Sequence, residues 1–190
     1  MTTPAPSGPA ASGSPKQLRP TDVKRLNREW KRRTEGRLAL ICDSVAQPFN
    51  LGSIVRTAAA FGAEKLWLCG NTPDLSLPAV GKTALGTDRF LEVVREPSPA
   101  AAAKSAADEG FRVVAVELAS GALPLGEAPL DGDICLVIGN EDHGCSPALL
   151  ASAHAAAYIP QPSRVGSLNV AIAAGIAMAE VRRREWHPGA

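Results

Sequence analysis

The chain of 190 residues is long enough for one globular domain with a tail, and its 20 Lys and Arg nearly balance its 19 Asp and Glu. No segment approaches the roughly 18 consecutive apolar residues that span a bilayer, so we expect no membrane association. The four cysteines include no C-x-x-C pair, which argues against a zinc site. Without an export signal, we expect reduced thiols, a cytoplasmic location and no bound metal.

The N-terminus divides into two segments of different composition. Residues 1–15 carry no charged side chain and consist mostly of Pro, Ala, Ser, Thr and Gly, which predicts a disordered tail. Residues 16–37 hold nine basic and three acidic residues, a net charge of +6 against −5 for the remainder of the chain. Clustered positive charge ahead of a mildly acidic body is typical of an arm that binds a polyanion.

This basic arm has helical spacing, with Val23, Leu26 and Trp30 on one side. Two interpretations are compatible with each other: a solvated amphipathic helix that packs its apolar stripe, and a helix whose charged side meets nucleic-acid phosphate. The residues predicted to bind RNA are Lys24, Arg25, Arg28, Lys31, Arg32 and Arg33.

Beyond residue 37, continuous apolar runs alternate with helical patterns. Strands are predicted at 37–42, 65–69, 90–94, 111–116, 134–138 and 157–159, and helices at 50–61, 98–109, 147–156 and 167–184. This alternation predicts an α/β domain over 38–190, with a mostly parallel sheet and helices on both faces. Ligands of such sheets bind beyond the carboxyl ends of the strands.

Three polar, glycine-containing motifs lie at strand ends and are expected to converge there. In the first, Asn-Leu-Gly-Ser-Ile-Val-Arg, Asn50 is a good helix cap, Gly52 permits close backbone approach and Arg56 offers a planar fork for phosphate. The second, Ile-Gly-Asn-Glu-Asp-His-Gly at 138–144, sets backbone N–H groups and a carboxylate at a strand end.

The third motif, at 158–169, is a loop with two prolines that ends in Ser-Leu-Asn and opens a helix rich in alanine. Each motif alone also has an ordinary structural interpretation: a capped helix with a surface arginine, a loop containing His143, and caps at Ser167 and Asn169. Caps do not explain the long restricted loop or the small residues of the last helix, which accept a backbone or a flat ligand at close range.

Taken in order, N-L-G-x-I-x-R, I-G-N-E-x-x-G and I-P-x(6)-S-L-N-V-x-x-A-x-G resemble the three signature motifs of the SpoU/TrmH branch of the SPOUT methyltransferases. The resemblance covers roughly residues 38–183. It implies an α/β fold with a deep C-terminal trefoil knot and a homodimer. It also implies S-adenosylmethionine as the methyl donor and methylation of a ribose 2′-hydroxyl in tRNA or rRNA.

The resemblance also assigns residues, position by position. The catalytic residues fall at Arg56, Asn50, Glu141, Ser167 and Asn169. The cofactor pocket falls at Val116, Glu117, Leu118, Ile138, Gly139, Ile159, Gln161 and Leu168. Gln161 stands where relatives often have methionine, and residues 162–164 are more polar than usual, so the resemblance does not name the RNA substrate.

In such a reaction Arg56 acts either as a base or as an anchor for the substrate phosphate that lowers the pKa of the ribose hydroxyl. The anchor is the physically easier role, because the pKa of a guanidinium exceeds about 12. Ser167 and Asn169 would orient Arg56 or the ribose, and Glu141 would fix its own loop. The alternative function is an RNA-binding or assembly factor on the same fold without turnover. A nucleotide-dependent oxidoreductase is disfavoured because the glycine fingerprint of such enzymes is missing.

Overall fold

The computed structural model describes residues 14–187. The predicted tail at 1–15 lies outside the described residues except for Ser14 and Pro15, which are exposed.

Within residues 14–187, six helices and seven strands follow one another. The helices are α1 Pro20–Arg33, α2 Pro48–Ala60, α3 Pro78–Ala84, α4 Pro99–Asp108, α5 Pro147–Ser152 and α6 Val170–Trp186. The strands are β1 Leu38–Asp43, β2 Lys65–Cys69, β3 Glu92–Arg95, β4 Arg112–Val116, β5 Leu123–Pro124, β6 Ile134–Ile138 and β7 Ala155–Tyr158. Short 3₁₀ turns lie at Thr87–Phe90 and Leu125–Glu127.

All seven strands form one sheet in the order β3-β2-β1-β6-β4-β7-β5, and every strand pairing is parallel. The chain builds outward from β1 to β3 and then crosses to the other half of the sheet. Because the strands are parallel, the loops after β1, β4, β6 and β7 all emerge at the same edge.

The two faces of the sheet bury separate cores, as the continuous apolar strands predict. One core places Leu40, Leu66 and Leu136 against α2, α3 and α6. The other places Ile41 and Val137 of the same strands against α4 and α5. The prediction of a parallel α/β domain covered on both faces is confirmed.

The structure corrects predicted boundaries of β3, β7 and three helices. Helix α2 begins at Pro48 with Gln47 as its N-cap, so Asn50 lies inside the first turn and does not cap the helix. Helix α5 ends at Ser152, because residues from 155 onward join the sheet. Helix α6 begins at Val170 rather than at 167.

The prediction also missed the short strand β5 and helix α3, which packs across α2. Over residues 14–187, no helix combines the length and the apolar character that crossing a bilayer requires.

Candidate functional site

The Glu141 carboxylate joins the loop after β6 to the start of α2. It accepts hydrogen bonds from the backbone N–H groups of Ala46 and Gln47, at 2.8 and 3.0 Å, and from Asn50 Nδ2 at 2.9 Å. Two of the three motifs therefore meet at this carboxylate. The side chain of Asn50 forms this link from within the first turn of α2.

Asn169 links the third motif to Asn50. Its Nδ2 donates to Asn50 Oδ1 at 3.0 Å, while its Oδ1 accepts from the N–H groups of Ala171 and Ile172 at 2.9 and 3.3 Å. Asn169 is therefore the N-cap of α6 as well as a partner of Asn50. Glu141, Asn50 and Asn169 form one hydrogen-bonded chain that joins three segments far apart in sequence.

Two further side chains fix the loop after β6. Asn140 Nδ2 donates to the Ser44 carbonyl at 2.8 Å, and its Oδ1 accepts from the N–H groups of Asp142 and His143. Asp43 is only 2 % exposed, and its Oδ2 accepts from the Ser146 N–H at 2.8 Å. These contacts tie the loop to the end of β1 at both of its ends.

Close backbone packing at the end of β6 requires glycine. A Cβ on Gly139 would collide with the backbone of Gly144 and Cys145. Gly144 has φ of 69°, and a Cβ there would collide with the Glu117 carboxylate. Glu117 in turn accepts hydrogen bonds from the N–H groups of Cys145 and Leu118 at 2.8 and 3.0 Å. The glycines thus let the loop after β6 fold back against the end of β4.

A cavity of about 370 Å³, called the site cavity below, opens at this edge of the sheet. Its volume lies within the usual range for small-molecule sites. It is lined by the segments after β4, β6 and β7 and by the first turn of α6. All eight residues predicted for the cofactor pocket line it: Val116, Glu117, Leu118, Ile138, Gly139, Ile159, Gln161 and Leu168.

The charge of the site cavity is negative. Its lining includes Glu117, Glu141 and Asp142, and no lysine or arginine of the described chain. Burial opposes ionisation of Glu141, but the hydrogen bonds from Asn50, Ala46 and Gln47 outweigh it and hold the pKa of this carboxyl below its ordinary value. The cavity is therefore suited to a ligand that carries positive charge.

The structure brings together four of the five predicted catalytic residues. Glu141, Asn50 and Asn169 are hydrogen-bonded, and Ser167 lines the site cavity beside Leu168. Arg56 is placed differently. It is exposed on α2, does not line the cavity, and forms no hydrogen bond or ion pair with another residue in 14–187.

The predicted RNA-binding residues all lie on α1. Lys24, Arg25, Arg28, Lys31 and Arg32 are exposed, and the guanidinium of Arg33 lies 4.9 Å from the ring centre of Trp30. The end of α1 contacts Trp186 at the end of α6, whereas the cavity is lined by the first turn of α6.

The sequence analysis assigned no role to several residues of the site. Asp43 and Asn140 hold the loops in place, and Tyr158 and Ala173 line the cavity. An aspartate that ends a buried strand was a usable signal for Asp43, since such a charge needs buried partners. Nothing in the local pattern marked Ala173. Across residues 14–187, no group of three His, Cys, Asp or Glu side chains is placed to hold a metal ion.

Comparison with known proteins agrees with this geometry. The SpoU rRNA Methylase family model matches residues 37–179. The 23S rRNA (guanosine(2553)-2′-O)-methyltransferase RlmP of Bacillus subtilis is 35% identical over 146 residues, which cover 77% of this chain and 58% of that protein. An uncharacterised tRNA/rRNA methyltransferase of Synechocystis sp. is 34% identical, over 79% of this chain and 54% of its own length.

A solved structure is similar as well. The AdoMet-bound rRNA methyltransferase from Sinorhizobium meliloti superposes with a TM-score of 0.74 at 29% identity, over 87% of this chain and 70% of that one. The chain spans between half and three fifths of the length of the two curated relatives. On the family match and the shared fold, the chain belongs to the SpoU rRNA Methylase family.

Proposed function

We propose that this protein transfers a methyl group from S-adenosylmethionine to a ribose 2′-hydroxyl in rRNA or tRNA. The observation that carries the proposal is the hydrogen-bonded chain of Glu141, Asn50 and Asn169 at the mouth of the site cavity, in a member of the SpoU family. Relatives named as 2′-O-methyltransferases of 23S rRNA support the ribose as the target.

The residues of the site cavity fit S-adenosylmethionine. The cofactor carries a sulfonium and an ammonium group, and the cavity offers carboxylates and no lysine or arginine among the described residues. Backbone groups at Gly139 and Leu168 would hold its adenosine part, and Glu117 would face its positive charge. Bound there, the cofactor would supply an electrophilic methyl group.

The protein's own task is to position the hydroxyl and to favour loss of its proton. Arg56 is the candidate for this task, because a guanidinium binds phosphate through a planar fork and stabilises a developing negative charge. Its high pKa favours the role of anchor over that of base. Arg56 does not line the cavity of its own chain. The site is therefore complete only if a second copy of the chain supplies its Arg56.

A homodimer would complete it. Helix α6 exposes Ile172 by 57% and Ile176 by 39%, and the neighbouring α2 exposes Phe49 by 53%. These apolar side chains lie near the mouth of the cavity, and a second copy covering them would bring its own Arg56 close to this site. The dimer and the sharing of Arg56 between copies are part of the proposal.

A deep trefoil knot after β7 is also part of the proposal. The knot is supported by the path of the chain, since β7 pairs with β4 and β5 while the following helix α6 packs against α2 and β6. The loop at 159–169 thus passes the ends of β4 and β6 before α6 begins.

The catalytic role of Arg56 is tested with the variant Arg56→Ala, with Arg89→Ala as a matched control on another exposed arginine. We expect the first to lose methyl transfer to RNA from a strain lacking the gene while keeping its affinity for S-adenosylmethionine in calorimetry. The control should keep both. Full turnover by the first variant would remove Arg56 from the mechanism.

Ribonucleoside mass spectrometry of RNA from the deletion strain tests the reaction itself. A lost 2′-O-methyl nucleoside that returns with the wild-type gene, but not with the Arg56 variant, is the expected result. Tight RNA binding without any change in RNA methylation would instead favour a binding or assembly factor.

The dimer is tested by light scattering at working concentration. We expect twice the mass of one chain for the wild type and a monomer for Ile172→Asp, because a charge at the centre of an apolar interface leaves an unpaired group on association. The control Leu77→Asp changes an exposed leucine at the N-cap of α3 and should remain a dimer. A monomeric wild type would contradict the proposal.

A further inference from the structure

The last turn of α6 packs against the end of α1. Trp186 and Trp30 pack with ring centres 4.7 Å apart, and Trp186 Nε1 donates to Thr34 Oγ1 at 3.0 Å. The Thr34 hydroxyl donates in turn to the Trp30 carbonyl at 3.0 Å. The aromatic pair therefore fixes both the last turn of α1 and the residue that follows it.

The linker after α1 is held by two more side chains of the same turn. The Glu185 carboxylate accepts from the N–H groups of Glu35 and Gly36. Arg182 is 1 % exposed, and its Nη1 donates to the Gly36 carbonyl at 2.8 Å and to Glu185 at 2.7 Å. We call Arg182, Glu185 and Trp186 the mount.

Beyond the mount, α1 does not pack along any other helix or strand of the described chain. Its exposed side carries Lys24, Arg28, Lys31 and Arg32, spaced so that they lie on one helical face. None of these four forms an ion pair with another residue of the described chain. The acidic residues of the helix and the apolar Leu26 and Trp30 lie on other faces, so the basic face is continuous.

The mount and the site cavity lie at opposite ends of the parallel strands. The arm joins the body at the amino end of β1, whereas the cavity lies beyond the carboxyl ends of β4, β6 and β7. The six residues of β1 span about 20 Å. The 17 residues of α6 lead from Asn169 at the cavity to Trp186 at the mount over about 25 Å.

We propose that the mount holds the basic face of α1 about 20 Å or more from the site cavity of its own chain, where it binds the phosphates of an RNA segment remote from the methylated nucleotide. The inference rests on the proposed function and narrows its substrate class to folded RNA that reaches both edges of the protein. Trp186 is then a positioning residue for RNA binding.

RNA fits this face better than an acidic protein does. The four cations follow one another along the helix with no apolar pocket between them, which suits a line of phosphates. Phosphate contacts fix the register of a nucleic acid without reading its sequence. The arm would therefore orient the RNA, and residues at the cavity would select the nucleotide.

The charge of the arm is tested with the double variant Lys24→Ala/Lys31→Ala. The matched control, Lys82→Ala/Lys104→Ala, removes two exposed lysines from other helices. On a long RNA substrate we expect only the first to weaken binding, with the slope of log affinity against log salt falling by about 1 to 2. Equal affinity and slope for the two double variants would overturn the inference.

The mount is tested with Trp186→Ala, which removes the aromatic contact but keeps every charge of the arm. We expect weaker binding of the long RNA with an unchanged salt slope, and faster tryptic cleavage within α1. Trp186→Phe keeps an aromatic ring and should recover most of the affinity. If Trp186→Ala unfolds the protein, Thr34→Val tests the same joint. A folded joint variant with wild-type RNA affinity would overturn the inference.

The reach of the arm is tested with substrate RNAs shortened stepwise from either side of the methylated nucleotide. We expect kcat/KM of the wild type to fall at one length, below which the wild type and Lys24→Ala/Lys31→Ala become equal. A variant defect that persists on the shortest substrate would place the arm beside the cavity and overturn the inference. Absence of methylation on every RNA would instead contradict the proposed function.

Discussion

At the scale of single residues, the site depends on side chains that hold two partners at once. Asn50 donates to Glu141 and accepts from Asn169, and Asn169 both caps α6 and reaches Asn50. Because each of these side chains already makes two sets of hydrogen bonds, replacing one of them disturbs both of the segments that it joins. This arrangement makes the geometry of the cavity mouth sensitive to small chemical changes.

The two functions of Asn169 can be separated by substitution. Asn169→Ala loses the cap and should lower the free energy of unfolding by about 1 kcal/mol. Asn169→Asp keeps a capping oxygen but cannot donate to Asn50, so it should retain stability and lose methyl transfer. Urea unfolding together with a methylation assay checks this, and full activity of the aspartate variant would contradict a role for the Asn50 contact.

The charge of Glu141 predicts a pH dependence. Burial opposes its ionisation, yet its hydrogen bonds lower the pKa below the ordinary 4.5, so the unfolded chain takes up this proton at a higher pH than the folded protein does. Its stabilisation is therefore complete well above pH 4.5 and is lost as the pH falls through the lower folded value.

We expect Glu141→Gln to be less stable than the wild type at pH 7 and the difference to shrink at acid pH. Urea unfolding at several pH values measures this. The exposed Glu127→Gln serves as control and should match the wild type throughout. A difference that grows on acidification would contradict the assignment.

At the scale of elements, α2 and α3 pack so closely that only glycine fits at position 52. A Cβ there would collide with Thr83 Oγ1 and the Val80 carbonyl of α3. Gly52→Ala should destabilise the protein by about 1–3 kcal/mol, because the colliding carbonyl belongs to the backbone and yields poorly. Thermal or urea unfolding measures this loss.

Gly81 in α3 gives a matched control, since a Cβ there has no neighbour within 4 Å. Gly81→Ala should be neutral or raise stability by up to about 1 kcal/mol through helix propensity. Similar effects of the two substitutions would show that close helix packing is not the cause.

For some helices and strands, the local sequence pattern was sufficient to predict the element. Strands such as β2 and β6 were predicted at their observed bounds, because continuous apolar runs flanked by turns leave few alternatives. Helix α3 was missed, since its seven residues include Gly81 and only Val80 and Ala84 are buried. Its helical state depends on packing against α2, which the local sequence does not record.

At the scale of the whole molecule, both cores share one sheet, and all four cysteines are buried in it or at its edge. Burial raises the pKa of Cys69 to about 12 and those of Cys42, Cys135 and Cys145 well above the ordinary range. Thiolates are therefore scarce at neutral pH, and the thiols are shielded as well.

We expect a thiol reagent to label no cysteine of the native protein quickly at pH 7 and to label all four in denaturant. The slow labelling rate in water should follow the rate or free energy of global unfolding. Rapid labelling of any one cysteine would reveal a local opening that reaches the core.

The sequence alone determined the parallel α/β domain and the three motifs, because apolar periodicity and glycine placement are local properties. It also located eight residues that line the site cavity, through their resemblance to a family. Only the tertiary structure decided that Asn50 links Glu141 to Asn169, that Arg56 stands outside the cavity of its own chain, and that Trp186 holds the basic arm. These contacts join residues separated by 91 to 152 positions. Such pairs are set by the order of the strands in the sheet, which no local pattern specifies.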